Sequence, residues 1–263
     1  MSKLFLFDMD GTLTPARKKM NHTVLSALEE LQKAGWDIGI ISGSDYQYIE
    51  QQCDLLFDLS PIDVTKIHFL PCNGTKYYKN FKKVWEYDMR SKLSSDFMKN
   101  LYRMLLSYQN TIVSLYYKDM SLTGNFFQMR GSVLNWCPIG RNALAKDREV
   151  WVQIDKKHRI RECFISSFNK AYDSNLITIK LGGETSFDIY PSGWNKTFPL
   201  DKEPFLSYQS IYFAGDRCYE SGNDEELYEH LKNKKECDAF QVNNPEETIK
   251  LINKILTQEV KSE

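Results

Sequence analysis

Lys3-Leu4-Phe5-Leu6-Phe7, followed at once by Asp8-Met9-Asp10-Gly11-Thr12, decides the fold class. A short apolar run that stops at an acid cluster reads as a strand buried on both faces of a parallel sheet, with its carboxyl end aimed at Asp8. Asn21 then caps a helix over 23–34, in which Val24, Leu25, Leu28 and Leu31 recur at helical spacing. Gly35 closes that helix in a left-handed position. A second buried-strand pattern over 36–41 follows immediately, and strand, helix and strand together make a right-handed crossover unit. That unit is the mark of an α/β fold.

Farther along, the pattern predicts a helix over 45–52, a strand over 67–70 and an aromatic and basic run over 77–87. Beyond about residue 85 the rhythm changes to a helix over 95–108, strands over 112–117 and 126–129, a helix over 156–170, and strands over 176–181 and 187–190. Strands with few helices between them predict an antiparallel α+β module inserted into the first domain. The α/β rhythm returns with a strand over 211–214, a helix over 223–231, a strand over 239–242 and a helix over 245–256. The expected division is therefore a core domain over 1–83 and 188–263, interrupted by an inserted domain over 84–187.

Composition bounds the function classes. With 42% hydrophobic and 26% charged residues in a chain of 263, the protein has the apolar content for a sizeable core and is not a disordered chain. Lys+Arg 34 against Asp+Glu 35 leaves a net charge of -1, so no global attraction to nucleic acid or anionic membrane is built in and any anion site is local. The six cysteines form no CxxC pair or regular framework, which implies a reducing compartment. The amino-terminal run meets its first acid too soon for a signal peptide, and no stretch has membrane-spanning length, so a cytoplasmic protein is expected. Tyr77, Tyr78, Phe81, Trp85 and Tyr87 with interleaved lysines raise the alternative of a nucleic-acid platform, but the net charge favours packing, and neither nucleic-acid nor membrane partners are expected.

Asp8 and Asp10 stand where open α/β sheets place ligands, beyond the carboxyl end of a strand. Two carboxylates so close repel each other unless a cation or shared proton intervenes, and they suit a hard metal such as Mg²⁺; the alternative is a solvated acidic turn. Three more segments fall beyond strands of the same sheet. Ser42-Gly43-Ser44-Asp45 offers hydroxyls and backbone N–H groups to a phosphate at a helix start. Lys196 offers a charge to neutralise a developing anion, and Asp216 a third carboxylate, followed by Gly222-Asn223-Asp224. Singly these are ordinary turns, caps and surface residues; their joint placement points to phosphoryl transfer.

These segments resemble the four motifs of the haloacid dehalogenase superfamily, phosphotransferases that form a phosphoaspartate. Residues 129–141 (MRGSVLNWCPIGR), with Ser186-Phe187-Asp188-Ile189-Tyr190-Pro191 and Gly193-Trp194-Asn195-Lys196, resemble more specifically the eukaryotic-type phosphomannomutase family. The resemblance spans essentially the whole chain. It implies a Rossmann-like core with a parallel sheet and an inserted α+β cap with an antiparallel sheet. By the same resemblance Asp8 is the nucleophile and Asp10 the general acid and base. Asp8, the main-chain carbonyl of Asp10, and Asp216 hold Mg²⁺, and Lys196 is the motif lysine. Arg17, Arg130, Arg141 and Arg148 match the substrate-binding arginines, Ser186 and Asp188 match the sugar contacts, Asn135 is a further substrate-binding residue, and Ser42 or Ser44 takes the motif-two role. Asn195 stands where the family commonly has Asp, Glu184-Thr185 replaces a more apolar pair, and Ser221 replaces a loop glycine.

What the resemblance implies is interconversion of mannose 6-phosphate and mannose 1-phosphate through an aspartyl phosphate and a hexose 1,6-bisphosphate, which also primes the enzyme. It further implies supply of GDP-mannose for protein N-glycosylation, and a homodimer joined through the cap. A mutase must hold a second phosphate while the first moves, and bidentate arginines on a lid-like module suit that task. For each arginine the plainer alternative is a surface ion pair, strongest for Arg148 with Asp147 and Glu149 beside it. Two other functions remain in view: a sugar-phosphate phosphatase on the same scaffold, and a non-enzymatic binding protein, which the intact Asp8, Asp10, Lys196 and Asp216 set disfavours.

Overall fold

The computed structural model describes residues 2–58, 61–116, 118, 120–173, 175–220 and 222–260. The chain forms two compact units, one of Met1–Glu86 with Trp194–Glu263 and the other of Tyr87–Gly193. Both crossings lie later than the sequence placed them. The strand Lys82–Glu86 pairs into the larger sheet, and the strand Ser186–Pro191 stays wholly in the smaller one.

The first unit opens with β1 (Lys3–Phe7), α1 (His22–Lys33), β2 (Asp37–Ile41), α2 (Tyr46–Gln52), β3 (His68–Leu70), β4 (Lys76–Lys79) and β5 (Lys82–Glu86). In α1 the Asn21 side chain accepts from Val24 N at 2.9 Å, and Gly35 takes φ +85 just beyond its end. An L side chain there would be strained, which is why glycine ends this helix. The α2 helix begins at Asp45, whose carboxylate accepts from Tyr46 N at 2.7 Å. The β4–β5 hairpin fills the aromatic and basic run. Tyr78 stacks on Tyr46 at 4.0 Å, and Tyr77 packs 4.5 Å from Trp85, whose indole N–H donates to Gly74 O.

The second unit holds α3 (Met89–Lys92), α4 (Ser95–Tyr116), β6 (Phe127–Met129), β7 (Leu134–Trp136), α5 (Ala145–His158), α6 (Ile160–Ala171), β8 (Ile177–Gly182) and β9 (Ser186–Pro191). The antiparallel sheet runs β6-β7-β9-β8. Two expectations need correction. The strand expected over 112–117 is the end of α4 as far as Tyr116, because Met98, Leu101, Leu105, Gln109 and Ile112 carry one buried stripe without interruption; residue 117 lies outside the described residues. The helix expected over 156–170 is the end of α5 and most of α6, parted by Arg159 in a left-handed conformation, φ +51.

The chain then returns to the first unit with β10 (Ser210–Gly215), α7 (Glu225–Lys232), β11 (Asp238–Gln241) and α8 (Pro245–Val260). Its seven-stranded sheet has the order β11-β10-β1-β2-β3-β4-β5, parallel from β11 through β3 and antiparallel at β4 and β5. Alternation along β1 sorts its side chains into two cores. Phe5 and Phe7 join Val24, Leu28 and Leu31 of α1 and Ile252 of α8, while Leu4 and Leu6 join Phe213, Leu227 and Leu231 on the face of α7. Each such fully buried side chain contributes about 1.5–3 kcal/mol by leaving water. The central strand is thus clamped from both faces, and the residue after it has little freedom to move. Among the described residues no helix is long and apolar enough to cross a membrane, and the six cysteines are free.

Candidate active site

β1 lies between β10 and β2, so the loops at its carboxyl end diverge into the crevice where such sheets bind ligands. Asp8 follows β1, Asp216 follows β10, and Ser42 follows β2. Asp8 N continues the sheet by donating to Ala214 O at 2.8 Å, which places the two carboxylates side by side. The loop after Asp8 is tied down by Gly11 N to Thr14 O at 2.7 Å and, from α8, by the Thr248 hydroxyl to Thr12 O at 2.8 Å. Gly11 takes φ +86, and a Cβ there would stand 2.5 Å from Asp216 Oδ2. Only glycine lets this loop pass so close to the carboxylate.

Lys196 is fully buried between two acids: its ammonium donates to Asp8 Oδ1 and, at 2.5 Å, to Asp224 Oδ1. Asp224 is itself fixed by Arg217 N, which donates to Oδ2 at 3.0 Å. The sequence reading quoted Asp224 but gave it no role, since its eight-residue offset from Asp216 reveals nothing until the loop folds back. Carboxylate oxygens of Asp8, Asp216 and Asp224 lie within 4.8 Å of one another.

The electrostatics follow from this crowding. Burial pushes the Asp8 carboxyl well above the usual carboxylate range; Lys196 opposes that, while Asp224 and Asp216 add to it. Burial and then Asp224 push Asp216 up to about 6, although Arg217 stands 3.6 Å away. Burial works against the charge of Lys196, but Asp224 and Asp8 outweigh it and hold its pKa above that of ordinary lysine. Three carboxylates thus share one buried ammonium, an arrangement short of positive charge. Asn223 Oδ1, next in sequence to Asp224, is a buried acceptor with no hydrogen-bond partner among the described residues. Surplus carboxylate and an orphaned oxygen are the donor set of a hard divalent cation, so these residues fit one.

Asp10 is engaged differently. Its Oδ1 accepts from Arg17 N at 3.0 Å and from the Tyr48 hydroxyl at 3.3 Å. Arg17 reaches it by adopting φ +61, and Tyr48 projects from α2; the sequence reading passed over Tyr48. Ser42 is buried, and its Oγ accepts from Ser44 N at 3.1 Å, which leaves its own proton free to be donated; Ser44 is half-buried. Ser221 lies outside the described residues.

The remaining candidates lie in the second unit, around the β7–β9 pair. Asn135 of β7 sits opposite Asp188 of β9 and donates to Asp188 Oδ1 at 2.7 Å, while Asn135 Oδ1 accepts from Arg141 at 2.6 Å. Burial, and then Arg130, lower the pKa of Arg141; Arg148 adds to the effect. Arg130 and Arg148 thus both act on Arg141 beside the Asp188 carboxylate, a concentration of positive charge that suits an anion. Arg148 donates to Ala143 O at 3.0 Å, Arg141 O at 2.9 Å and Thr185 Oγ1 at 2.8 Å. It braces the Arg141 loop against the β8–β9 turn. Its neighbour Asp147 turns instead to Ser121 and Leu144 N. Ser186 is buried, and its carbonyl accepts from Arg161, which also donates to Gly183 O and pairs with buried Asp155 at 2.7 Å. Nothing in the spacing of these residues announces this second brace.

A sequence model described as eukaryotic phosphomannomutase matches residues 24–258. The chain is 31% identical to the phosphomannomutase of Encephalitozoon cuniculi (strain GB-M1) over 96% of its own length and 93% of that protein. It is 32% identical to phosphomannomutase 1 of Homo sapiens, over 86% and 82% of the two chains. Its fold is like that of ATP-bound Plasmodium falciparum IMP-nucleotidase, with a TM-score of 0.67 at 19% identity, covering 100% of this chain and 62% of that one.

Proposed function

The chain belongs to the eukaryotic phosphomannomutase family, and we propose that it interconverts mannose 6-phosphate and mannose 1-phosphate by way of a hexose 1,6-bisphosphate. In this reading an Asp8 oxygen attacks phosphorus, the bond from phosphorus to the sugar oxygen breaks, and Asp10 protonates the departing oxygen. In the other half of the cycle phosphorylated Asp8 gives its phosphoryl group to the free hydroxyl of an incoming hexose monophosphate while Asp10 takes the proton from that hydroxyl, and the bisphosphate so formed turns to give up its other phosphoryl group to Asp8. Lys196, held between Asp8 and Asp224, keeps a positive charge beside the transferring group. A hydroxyl from Ser42 or Ser44 donates to the same group.

Asp8, Asp216 and the Asp10 carbonyl would hold Mg²⁺, with Asp224 and Asn223 alongside, and that cation when bound offsets the negative charge spread over the phosphoryl oxygens. Arg17, Arg130 and Arg141 would bind the phosphate that is not being transferred, with Arg148 keeping the Arg141 loop in place. Asn135, Ser186 and Asp188 would take the sugar hydroxyls. The observation that carries the mutase reading over simple hydrolysis is the arginine cluster around the Asn135–Asp188 pair. A phosphatase has no need of a second anion site.

The product would supply GDP-mannose synthesis, and with it protein N-glycosylation, in the cytoplasm. A homodimer through the second unit is also proposed; exposed Leu106, Leu115, Leu144 and Leu176 on that unit support it, and light scattering at a monomer's mass would refute it. The deciding experiment is product analysis with mannose 1-phosphate, with and without a hexose 1,6-bisphosphate. Mannose 6-phosphate should form, faster with the bisphosphate, and Asp8→Asn should abolish it. Inorganic phosphate outpacing the isomer under both conditions would turn the reading to a sugar-phosphate phosphatase.

A further inference from the structure

Among the described residues Asp10 receives two hydrogen bonds on its side chain, and both end on Oδ1. Among the described residues its Oδ2 meets no protein donor. One donor is main chain, from Arg17 in a left-handed conformation that presents its N–H to the carboxylate. The other is the hydroxyl of Tyr48, whose ring packs against the core from α2. A carboxylate gripped by one oxygen from two directions cannot spin about its Cβ–Cγ bond, so its other oxygen is held in a single direction.

We propose that Tyr48 is a positioning residue for Asp10, fixing Oδ1 together with Arg17 N so that Oδ2 alone exchanges the proton with the substrate oxygen. The inference rests on the phosphoryl-transfer reading of Asp8 and Asp10, but not on the identity of the sugar. In the step it serves, the Asp8 oxygen bonds to phosphorus, the phosphorus–oxygen bond to the leaving group breaks, and the electron pair stays on the leaving oxygen. An alkoxide must then receive the Asp10 proton, whereas p-nitrophenolate departs as a stable anion and needs none. The bond at 3.3 Å is longer than the usual hydroxyl–carboxylate bond, and bonds at catalytic groups commonly tighten when substrate is present.

The experiment compares wild type with Tyr48→Phe, both as Mg²⁺-loaded full chains, in single-turnover cleavage of hexose 1-phosphate and of p-nitrophenyl phosphate. Tyr48→Phe should slow cleavage of the hexose phosphate about tenfold, with KM within about twofold, and leave the p-nitrophenol burst within about twofold of wild type. That burst also reports folding, since a misfolded protein loses both. In an Asp10→Ala background, adding Tyr48→Phe should change nothing further. Equal losses on both substrates, no loss on either, or an additive effect in the double variant would overturn the proposal. Failure of the sugar-isomerase reading is seen separately, as missing mannose 6-phosphate while wild type still cleaves both esters. A wild type that cleaves neither ester overturns both.

Discussion

Replacing Lys196 by Met, a side chain of similar length, removes the buried ammonium from among Asp8, Asp216 and Asp224. Two charge-assisted hydrogen bonds disappear, to Asp8 and to Asp224, and both carboxylates stay buried. Breaking one partner out of a buried ion pair costs about 3–5 kcal/mol. At about 2–4 °C per kcal/mol for a domain of this size, the melting temperature should fall by about 6–20 °C at pH 8 with chelator present. The deficit should depend on pH with a definite sign. Asp8 already has a folded-state pKa above its unfolded value of 3.8, and loss of Lys196 raises it further. A carboxyl shifted upward contributes stability in full below its unfolded pKa and loses it as pH rises through the folded one, so the variant's deficit should shrink toward pH 5. Urea denaturation of wild type and Lys196→Met at pH 5 and pH 8 measures both quantities. Asp216→Asn supplies the opposite case. That carboxyl is pushed up to about 6, with Arg217 a loose partner at 3.6 Å, so its removal should stabilise the chelated protein at pH 8 by about 1–2 kcal/mol. A Lys196→Met deficit below about 1 kcal/mol, or one independent of pH, would refute the reasoning.

Three further expectations follow from particular contacts. Gly11→Ala places a Cβ 2.5 Å from Asp216 Oδ2 at φ +86, so besides about 1–2 kcal/mol of backbone cost it should weaken Mg²⁺ binding by calorimetry; an unchanged affinity would count against Asp216 as a ligand. His68 is buried among Tyr77, Tyr208 and Lys79, and burial, then the Lys79 ammonium, lower its pKa to about 3. Its neutral form therefore stabilises the fold above the unfolded value of 6.5, and that stability drains away as pH falls toward 3. Wild type should lose about 2 kcal/mol from this source between pH 7 and pH 5, and His68→Asn should show a flatter urea midpoint over that range. Arg141→Ala should reduce mutase flux more than hydrolysis of a small phosphomonoester; equal losses would deny it a role in gripping the second phosphate.

The core was largely legible because its signals are local. The β1–α1–β2 unit is written in a buried run, an Asn cap and a glycine stop, and the structure reproduces each of them. The inserted unit was harder because its signals compete. Thr111, Ile112 and Val113 are β-branched and read as strand, yet they continue α4, whose buried stripe outweighs the weak preference of three residues. The break at Arg159 is a single left-handed residue that no glycine or proline announces. At the site, side chains that begin a loop beyond a strand were found from position alone, as Asp8, Ser42 and Asp216 were. Those that enter through a folded loop or across a helix were not. Asp224, Tyr48 and the Asp155–Arg161 pair meet their partners only after the chain has turned, and nothing in their spacing says so.

Asp8 and Lys196 are separated by 188 residues, because a whole unit intervenes between the two halves of the core. On the ribosome, at about 5–20 residues per second, that interval is about 10–40 s, during which the carboxylate waits for its counter-ion. Over the same interval β1 lacks β10, and its unpaired edge is an open template for another chain. The core cannot lock as it emerges; it locks late, when β10 arrives. A product cut short after Gly193 but before β10 carries the whole inserted unit on an unfinished core, the form in which a chaperone would meet this protein.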